Sequence, residues 1–362
     1  MSRIWWYQLL ALGTLVGCAV PLDEEQVEEI TPGALRVERV SERCIVEEPL
    51  GISRGAAFTL AFDQGEYWIY GETWDDSGPG LRVLGSSATL VSQGADPCID
   101  AQNVRDTEGR LLQLLEPTEE ELARLAASND DRALRLWPVG GFVHAGQGYV
   151  YYQKALVAGV FDVTVVGVGI ARLSYGGVGQ RVRVARYGHD PFLLWAAPDL
   201  GWGSGAWLAP DGFAYVYGCH RAGASEHVCR VGRVRAAHAG DARAYAYWTG
   251  TEWSPDAERA VAVLERLPGV SVAYNGHLGR FLAIHGRSLD DHLLGRAGRS
   301  PWGPFDEARQ LLTGTRPENF WISGVQQHPA YERAEGRTLL LSYHTRPAQA
   351  APGLRLVEVH LR

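Results

Sequence analysis

The chain has 362 residues, of which 46% are hydrophobic and 21% charged, a composition that excludes global disorder and allows one large β domain or two ordinary domains. Its formal net charge is −8. This acidic balance argues against nucleic acid as a partner, because binding it requires a basic surface.

The first eighteen residues have the features of an export signal. Arg3 precedes an apolar stretch, residues 4–16, which is shorter than the about 20 residues of a membrane-spanning helix. The end of the segment, Leu15-Val16-Gly17-Cys18, resembles a bacterial lipobox, in which the cysteine carries the lipid. We therefore expect residues 1–18 to be a lipoprotein signal peptide, with an ordinary signal peptide as the alternative.

The segment after Cys18 is acidic and contains a proline, so residues 19–34 are expected to form a flexible tether. Residues 35–362 would then form one domain. The predicted location is the bacterial cell envelope, and the lipid would be the protein's only contact with the membrane.

Four further cysteines suit two disulfides in an exported chain. Cys219 and Cys229 flank a short excursion between two strand-like runs, so we expect them to bond to each other. Cys44 and Cys98 would then pair by elimination. Free buried thiols are the alternative, and a metal site is disfavoured because no Cys-x-x-Cys pair occurs.

One pattern recurs along the chain: a strand of small residues, a tight turn, and a second strand of aromatic or other large apolar residues. In one copy, Asp211-Gly212 forms the turn and Phe213 and Tyr215 follow it, which is a strong hairpin signal. The copies are at 55–73, 140–155, 203–219, 270–286 and 325–346. With the strand-like runs that follow them, they predict an all-β, five-bladed β-propeller whose small first strands line a central channel. A β-sandwich is the alternative.

One helix is predicted within residues 116–131, as an insertion after the first hairpin. Thr118 and Glu121 have the spacing of a capping box, and Leu122, Leu125 and Ala126 recur at helical spacing. We interpret this helix as packing rather than chemistry.

A series of short motifs runs through residues 50–362. They are Tyr70-Gly71-Glu72-Thr73, Trp202-Gly203-Ser204, Tyr245-Ala246-Tyr247-Trp248-Thr249-Gly250 with Trp253, Ser271-Val272-Ala273-Tyr274-Asn275, Leu278-Gly279-Arg280-Phe281, Pro301-Trp302-Gly303-Pro304, His328-Pro329 and Ser342-Tyr343. In this order they resemble a bacterial family of unknown function, whose members are glycoside-hydrolase-like five-bladed propellers and include endo-D-arabinanases. The resemblance implies an Asp on the first inner strand and a Gly-Asp-Thr after its hairpin. This chain has Arg54-Gly55-Ala56-Ala57 and Gly71-Glu72-Thr73 instead.

Glu72 is the leading candidate for a general acid or base, because it follows an apolar strand where burial would raise its pKa. A solvated rim residue in a turn is the alternative. Glycoside hydrolysis normally requires a second carboxylate. Asp75 and Asp76, which follow Trp74, are the candidates for it, with a simple polar turn as the alternative.

The predicted substrate-binding residues combine ring stacking with hydrogen bonding. Arg54 and Asn275 are candidates for hydrogen bonds to sugar hydroxyls, and the resemblance places His328 on the fifth inner strand, facing the channel. Packing between blades is the alternative for the tryptophans, and a hydrogen-bonded core position is the alternative for the histidine. The tryptophan candidates are Trp74, Trp202, Trp207, Trp302 and Trp321.

These observations predict an envelope-anchored, monomeric propeller that binds or hydrolyses a polysaccharide, as an arabinanase-like glycosidase, without a cofactor or metal. The alternative is a non-catalytic surface propeller that binds a protein or a glycan. The missing acid of the first inner strand favours the non-catalytic propeller. The acidic loop and the aromatic residues favour a propeller that binds or hydrolyses a polysaccharide.

Overall fold

The computed structural model describes residues 34–46, 51–159, 162–184, 190–196, 201–221, 227–267, 269–286, 291–314, 322–345 and 353–362. The signal segment with Cys18, nearly all of the predicted tether, and Trp321 lie outside these residues. Within the described ranges, no helix has the length and apolar character needed to cross a bilayer.

The hairpin pattern folds into successive antiparallel sheets. The first part of the chain contains β1 (Val37–Val46), β2 (Ile52–Arg54), β3 (Ala57–Phe62), β4 (Gly65–Tyr70), β5 (Thr73–Asp75), β6 (Arg82–Leu84), β7 (Ser87–Ser92) and β8 (Gln102–Asn103). After helix α1 (Glu119–Ala127) come β9 (Ala133–His144), β10 (Gln147–Gly159), β11 (Asp162–Leu173), β12 (Gln180–Arg181) and β13 (Trp195–Ala196).

The second half of the chain continues the series. It contains β14 (Trp202–Leu208), β15 (Phe213–Arg221), β16 (His227–Arg235), β17 (Ala246–Trp248), β18 (Trp253–Ser254), β19 (Leu264–Glu265), β20 (Ser271–Asn275), β21 (Arg280–Gly286), β22 (His292–Gly298), β23 (Arg309–Thr313), β24 (Ser323–Gln327), β25 (Thr338–Thr345) and β26 (Gly353–Leu361). Short 3-10 helices span Ala236–His238, Ala242–Ala244, Ala257–Arg259, Pro329–Tyr331 and Ala334–Gly336.

Five of the sheets are blades, numbered in chain order. Their strand orders, from the innermost strand outwards, are β3-β4-β7-β8, β9-β10-β11-β12, β14-β15-β16-β17-β18, β20-β21-β22-β23 and β24-β25-β26-β1. The amino-terminal strand therefore completes the last blade. A small sheet of β2, β5 and β6, here named the crown, extends blade 1.

The innermost strands form a ring: β3 contacts β9, β9 contacts β14, β14 contacts β20, β20 contacts β24, and β24 contacts β3. The predicted five-bladed propeller with one short helix is therefore confirmed. At several of these contacts the backbones approach each other so closely that a larger side chain would clash. A Cβ on Gly140 would lie 2.6 Å from the carbonyl oxygen of Gly203, and one on Gly324 would collide with Ala56. This crowding explains the small residues of the first strands.

The second strands fill the wedges between neighbouring blades. Because successive side chains of a strand point to opposite faces, each second strand serves both of its neighbouring wedges. In β4, Tyr67 packs towards blade 2 and Trp68 towards blade 5. The other second strands contribute Tyr151 and Tyr152, Tyr215 and Val216, Leu282 and Ala283, and Leu339 and Leu340 to the adjoining cores.

The seam between blades 5 and 1 is locked by covalent and ionic contacts. A disulfide joins Cys44 of β1 to Cys98, which follows β7 of blade 1. Arg43 also bridges the seam, with ion pairs of 2.8 Å to Asp96 and 2.6 Å to Glu358. The second disulfide, Cys219–Cys229, joins directly opposed residues of β15 and β16. Both predicted disulfides are therefore confirmed.

Helix α1 begins at the predicted capping box. The backbone N–H of Glu121 donates to the hydroxyl of Thr118 at 3.3 Å, and the Glu121 carboxylate accepts from the backbone N–H of Thr118 at 2.9 Å. The packing face differs from the expected one, since Glu121 is buried and Leu122 is 49% exposed. The reason is a cluster of buried cations under the helix.

This cluster anchors α1 to blade 2. Lys154, the only lysine of the chain, donates to the Glu121 carboxylate at 2.7 Å and is also paired with Asp190. Arg181 forms two hydrogen bonds to the same Glu121 carboxylate, at 2.9 and 3.0 Å, and lies over the ring of Tyr152. A buried carboxylate is tolerated here because both of its oxygens are neutralised by fixed cations.

We predict that this anchor makes the protein sensitive to acid. Burial alone would raise the pKa of Glu121, but the charge of Arg181 and the Lys154 hydrogen bond outweigh it and lower the pKa to about 2. Because this value lies below the ordinary one of 4.5, the stabilisation is complete above about pH 4.5 and is lost as the pH falls towards 2. At neutral pH, Glu121→Gln should lower the free energy of unfolding by about 3 kcal/mol, measured by urea titration.

Glu120→Gln is the matched control, because Glu120 lies beside Glu121 on the exposed side of α1 and pairs with Arg124 at 2.5 Å. A surface pair of this kind contributes below about 1 kcal/mol. Equal losses in the two variants would contradict the anchoring role of Glu121.

Candidate functional site

The predicted acidic segment, residues 72–76, lies in and beside strand β5 of the crown. The crown is at the end of the propeller where the innermost strands begin, which we name the entry end. Strand β5 pairs with β2, with Ser53 opposite Trp74 and Ile52 opposite Asp75. The carbonyl of Glu72 accepts from the N–H of Gly55 at 2.8 Å, so Glu72 lies where the crown meets blade 1. This segment is therefore fixed by strand pairing on both sides.

Alternation along the crown strand separates the candidate carboxylates. Thr73 and Asp75 of β5 are buried, whereas Trp74 and the flanking residues Glu72 and Asp76 are more exposed, so alternation assigns these three to the outer face of the crown. The side chains of Glu72 and Trp74 are half-buried and Asp76 is exposed. A carboxylate beside an indole ring on a rigid strand suits the recognition of a sugar.

Asp75 has structural partners on the buried face of the crown. Its carboxylate accepts hydrogen bonds from the backbone N–H of Ser77 at 3.2 Å and from the Ser77 hydroxyl at 2.5 Å, and it pairs with Arg82 at 3.3 Å. These contacts hold the turn between β5 and β6. Sequence reasoning missed the role of Arg82, because no local pattern shows that β6 returns beside β5.

Arg54 ends β2 and is buried beneath the crown. Its guanidinium lies 4.4 Å from the centre of the Tyr70 ring and donates to the side-chain oxygen of Asn103 on the outermost strand of blade 1. The structure thus uses Arg54 to join the crown to blade 1.

His328 follows β24 and lies entirely inside the seam between blades 5 and 1. Its Nδ1 is 3.1 Å from the Thr59 hydroxyl, its Nε2 is 2.8 Å from the Ser342 hydroxyl, and Trp68 packs on its ring at 4.3 Å between centroids. Burial lowers the pKa of His328 to about 3. The imidazole is therefore neutral in ordinary buffers and links β3 to β25.

The remaining candidates lie away from the crown. Trp202 is fully buried between blades 2 and 3, where it packs against Trp195 and Tyr247. Asn275 is buried at the end of β20, where its amide donates to the Gly336 carbonyl at 2.8 Å and accepts from the Leu278 N–H. Both side chains thus serve packing and turn formation.

A cavity of about 280 Å³ occupies the propeller axis. It extends from the crowded ring, where Gly140 forms part of its lining, towards the hairpin turns. Its polar lining includes Thr59, Ser271 and Gln326, and Trp207 forms part of its wall. In the described parts of the chain, no group of three His, Cys, Asp or Glu side chains is placed to hold a metal ion.

The family expected from the motifs is supported by comparison with known sequences. Residues 180–343 match the family model of a domain of unknown function, DUF4185. This range includes blades 3 and 4 and most of the motifs that carried the resemblance. A search of curated protein sequences finds no match to this chain.

Solved structures of similar architecture are glycoside hydrolases or related proteins. A protein from Bacteroides ovatus superimposes with a TM-score of 0.59 and 14% identity, covering 84% of this chain and 85% of that one. The GH43_1 enzyme from Xanthomonas citri complexed with xylotriose superimposes with a TM-score of 0.52 and 15% identity, covering 86% of this chain and 88% of that one. The catalytic domain of a GH62 alpha-L-arabinofuranosidase from Coprinopsis cinerea superimposes with a TM-score of 0.50 and 10% identity, covering 91% of this chain and 98% of that one. The fold is therefore that of the glycoside-hydrolase-like five-bladed propellers.

We predict that the His328 imidazole does not titrate between pH 8 and pH 5. Its folded pKa of about 3 lies below the ordinary value of 6.5, so its contribution to stability is complete above pH 6.5 and declines as the pH falls towards 3. The measurement is the pH dependence of its ring resonances by NMR, with the urea-unfolded chain as the reference. A midpoint near 6.5 in the folded protein would contradict the buried, neutral state.

Proposed function

We propose that this protein acts on a polysaccharide at the crown, with Glu72 as the acid or base. The observation that carries the proposal is the shared crown face of Glu72 and Trp74, fixed at the entry end of a glycoside-hydrolase-like propeller. The similarity to a xylotriose-bound enzyme and to an arabinofuranosidase supports xylans and arabinans as the first substrates to test.

The proposed chemistry divides the two steps of hydrolysis between two carboxyl groups. A protonated Glu72 would donate its proton to the glycosidic oxygen as the bond to the anomeric carbon breaks. Asp76 lies on the same face and is our choice for the second carboxylate, which accepts the proton of the attacking water. Asp75 is less suited to this role because Ser77 and Arg82 occupy its oxygens.

The crowded ring supports a second candidate function, which is glycan binding without turnover. The family resemblance implies an acid on the first inner strand, but Ala56 contacts the backbone of Gly324 there and leaves no room for a longer side chain. The chain thus lacks one family carboxylate at this place. A binding protein would retain affinity for the glycan and release no reducing ends.

We predict that Glu72→Gln lowers the release of reducing sugars from arabinan or xylan by a factor of at least about 100, because it removes the proton donor but keeps the shape of the side chain. Asp76→Asn should lower the rate similarly if it is the second carboxylate. Asp75→Asn is the control, and its effect should appear in the free energy of unfolding rather than in the rate.

The outcomes separate the two candidates. Product from the wild type but not from Glu72→Gln supports hydrolysis at the crown. Retained glycan binding without product, with Glu72→Gln unchanged, supports the binding function and removes the catalytic assignment. No binding and no product on the whole panel would contradict both.

We also propose that the protein is held at the cell envelope by a lipid on Cys18. The support is the sequence alone: a short apolar segment that ends in Leu15-Val16-Gly17-Cys18, followed by an acidic tether. Two disulfides suit an oxidising compartment outside the cytoplasm.

We expect radiolabelled palmitate to be incorporated into the wild-type protein and to be absent from Cys18→Ala, which should leave the membrane fraction. A Cys44→Ala and Cys98→Ala double variant keeps Cys18 and should remain labelled. Label that persists in Cys18→Ala would contradict the lipid anchor.

A further inference from the structure

A group of partly exposed aromatic side chains lies at the hairpin end of the propeller, where each innermost strand turns into the second strand. We name it the aromatic track. Tyr274 is 48% exposed and the other members are half-buried. All of them adjoin turns of blades 3 and 4 at this end, away from the crown. The members are Trp207, Trp248, Trp253, Tyr274, Phe281 and Trp302.

The members of the track form two connected arms. On one arm, Trp207 contacts Phe281 at 5.2 Å between ring centroids, and Phe281 contacts Tyr274 at 5.3 Å. On the other, Trp302 lies 5.4 Å from Trp253 and 5.5 Å from Trp248. The buried ring of Tyr215 lies 6.2 Å from Trp207 and 5.8 Å from Trp302 and so joins the arms.

The track begins at the axial cavity. Trp207 belongs to both, since it forms part of the cavity wall as well as the inner end of the track. Thr59, Ser271 and Gln326 are among the polar residues of the same wall. At about 280 Å³, the cavity is close to the lower limit of the roughly 300–1,000 Å³ typical of small-molecule pockets.

Guanidinium groups border the outer arm. Arg233 lies 4.3 Å from the centre of the Trp253 ring, and Arg235 lies 3.9 Å from that of Phe213. Arg235 already donates one N–H to the Asp211 carbonyl at 2.8 Å. A guanidinium has five N–H donors, so others of Arg233 and Arg235 suit neutral acceptors such as hydroxyls. Aromatic faces with planar donors beside them match the two sides of a sugar ring, its carbon–hydrogen face and its hydroxyl edge.

We infer that the aromatic track and the axial cavity form a second saccharide site, which holds a polysaccharide chain at the end of the propeller opposite the crown. The inference rests on the proposed function for the choice of ligand. A glycan fits better than a protein partner, because the track leads into a narrow cavity, with polar as well as apolar residues in its wall, that can admit a single sugar unit. This site binds and positions the chain and takes no part in bond cleavage.

The test compares long and short saccharides with the purified protein. Tyr274→Ala and Trp302→Ala should each weaken binding of soluble arabinan or xylan about tenfold, by affinity electrophoresis, because one stacking contact of roughly 1.4 kcal/mol is lost. Binding of a disaccharide at the crown should be unchanged. Trp302→Phe, which keeps a ring, should retain most of the affinity.

Tyr175→Ala is the matched control, because Tyr175 is a half-buried ring at the same end but between blades 1 and 2, 5.7 Å from Phe62. Thermal unfolding of each variant verifies that the fold is intact, and Tyr274→Ala removes an exposed ring whose loss leaves the cores untouched.

Each outcome decides between specific alternatives. If the wild type binds polysaccharide and both track variants bind as well as Tyr175→Ala, the second site is refuted and the proposed function stands. If the wild type binds no saccharide, both proposals fail. If the track variants alter only self-association, measured by light scattering, the surface is a protein interface and the second site is refuted.

Discussion

The close approach of five innermost strands is the constraint on which the rest of this structure depends. Where Gly140 meets Gly203, not even a methyl group fits between the backbones, and where Gly324 meets Ala56 only the methyl group of Ala56 fits. Because the innermost strands converge at the axis, the distance between neighbouring sheets increases outwards. The wedge-shaped gaps that result must then be filled by large side chains, because empty volume in a core is costly.

The aromatic second strands follow from that geometry. Trp68, Tyr151 and Tyr217 are buried in different wedges, and their polar atoms find partners there, such as the Tyr331 hydroxyl for Trp68 and the Pro301 carbonyl for Tyr217. The seam between blades 5 and 1 also closes the ring. Three features stabilise this closure: the β1–β26 pairing, the Cys44–Cys98 disulfide and the hydrogen bonds that link Thr59 through His328 to Ser342.

The same constraint underlies the two sites that we propose at opposite ends of the molecule. The crowded ring leaves no space for an acid at Ala56, so the proposed chemistry depends on the crown, where strand alternation gives Glu72, Trp74 and Asp76 a common face. From the ring towards the hairpin turns the axis widens into a cavity, and the wedge between blades 3 and 4 ends in aromatic side chains that are only partly buried. Two distinct saccharide sites are thus compatible with one architecture.

The sequence by itself determined the number of blades, the small and aromatic halves of each hairpin, both disulfides and the capping box at Thr118, because these depend on neighbours in the chain or on simple pairing. It also singled out Glu72 as the candidate acid or base. Only the tertiary structure decided that Glu121 rather than Leu122 is the buried residue of α1, that Asp75 is held by Ser77 and Arg82, and that Trp202 is inside a wedge while Trp302 is near the surface. These features depend on which distant strand lies opposite a side chain, and a local pattern carries no information about that.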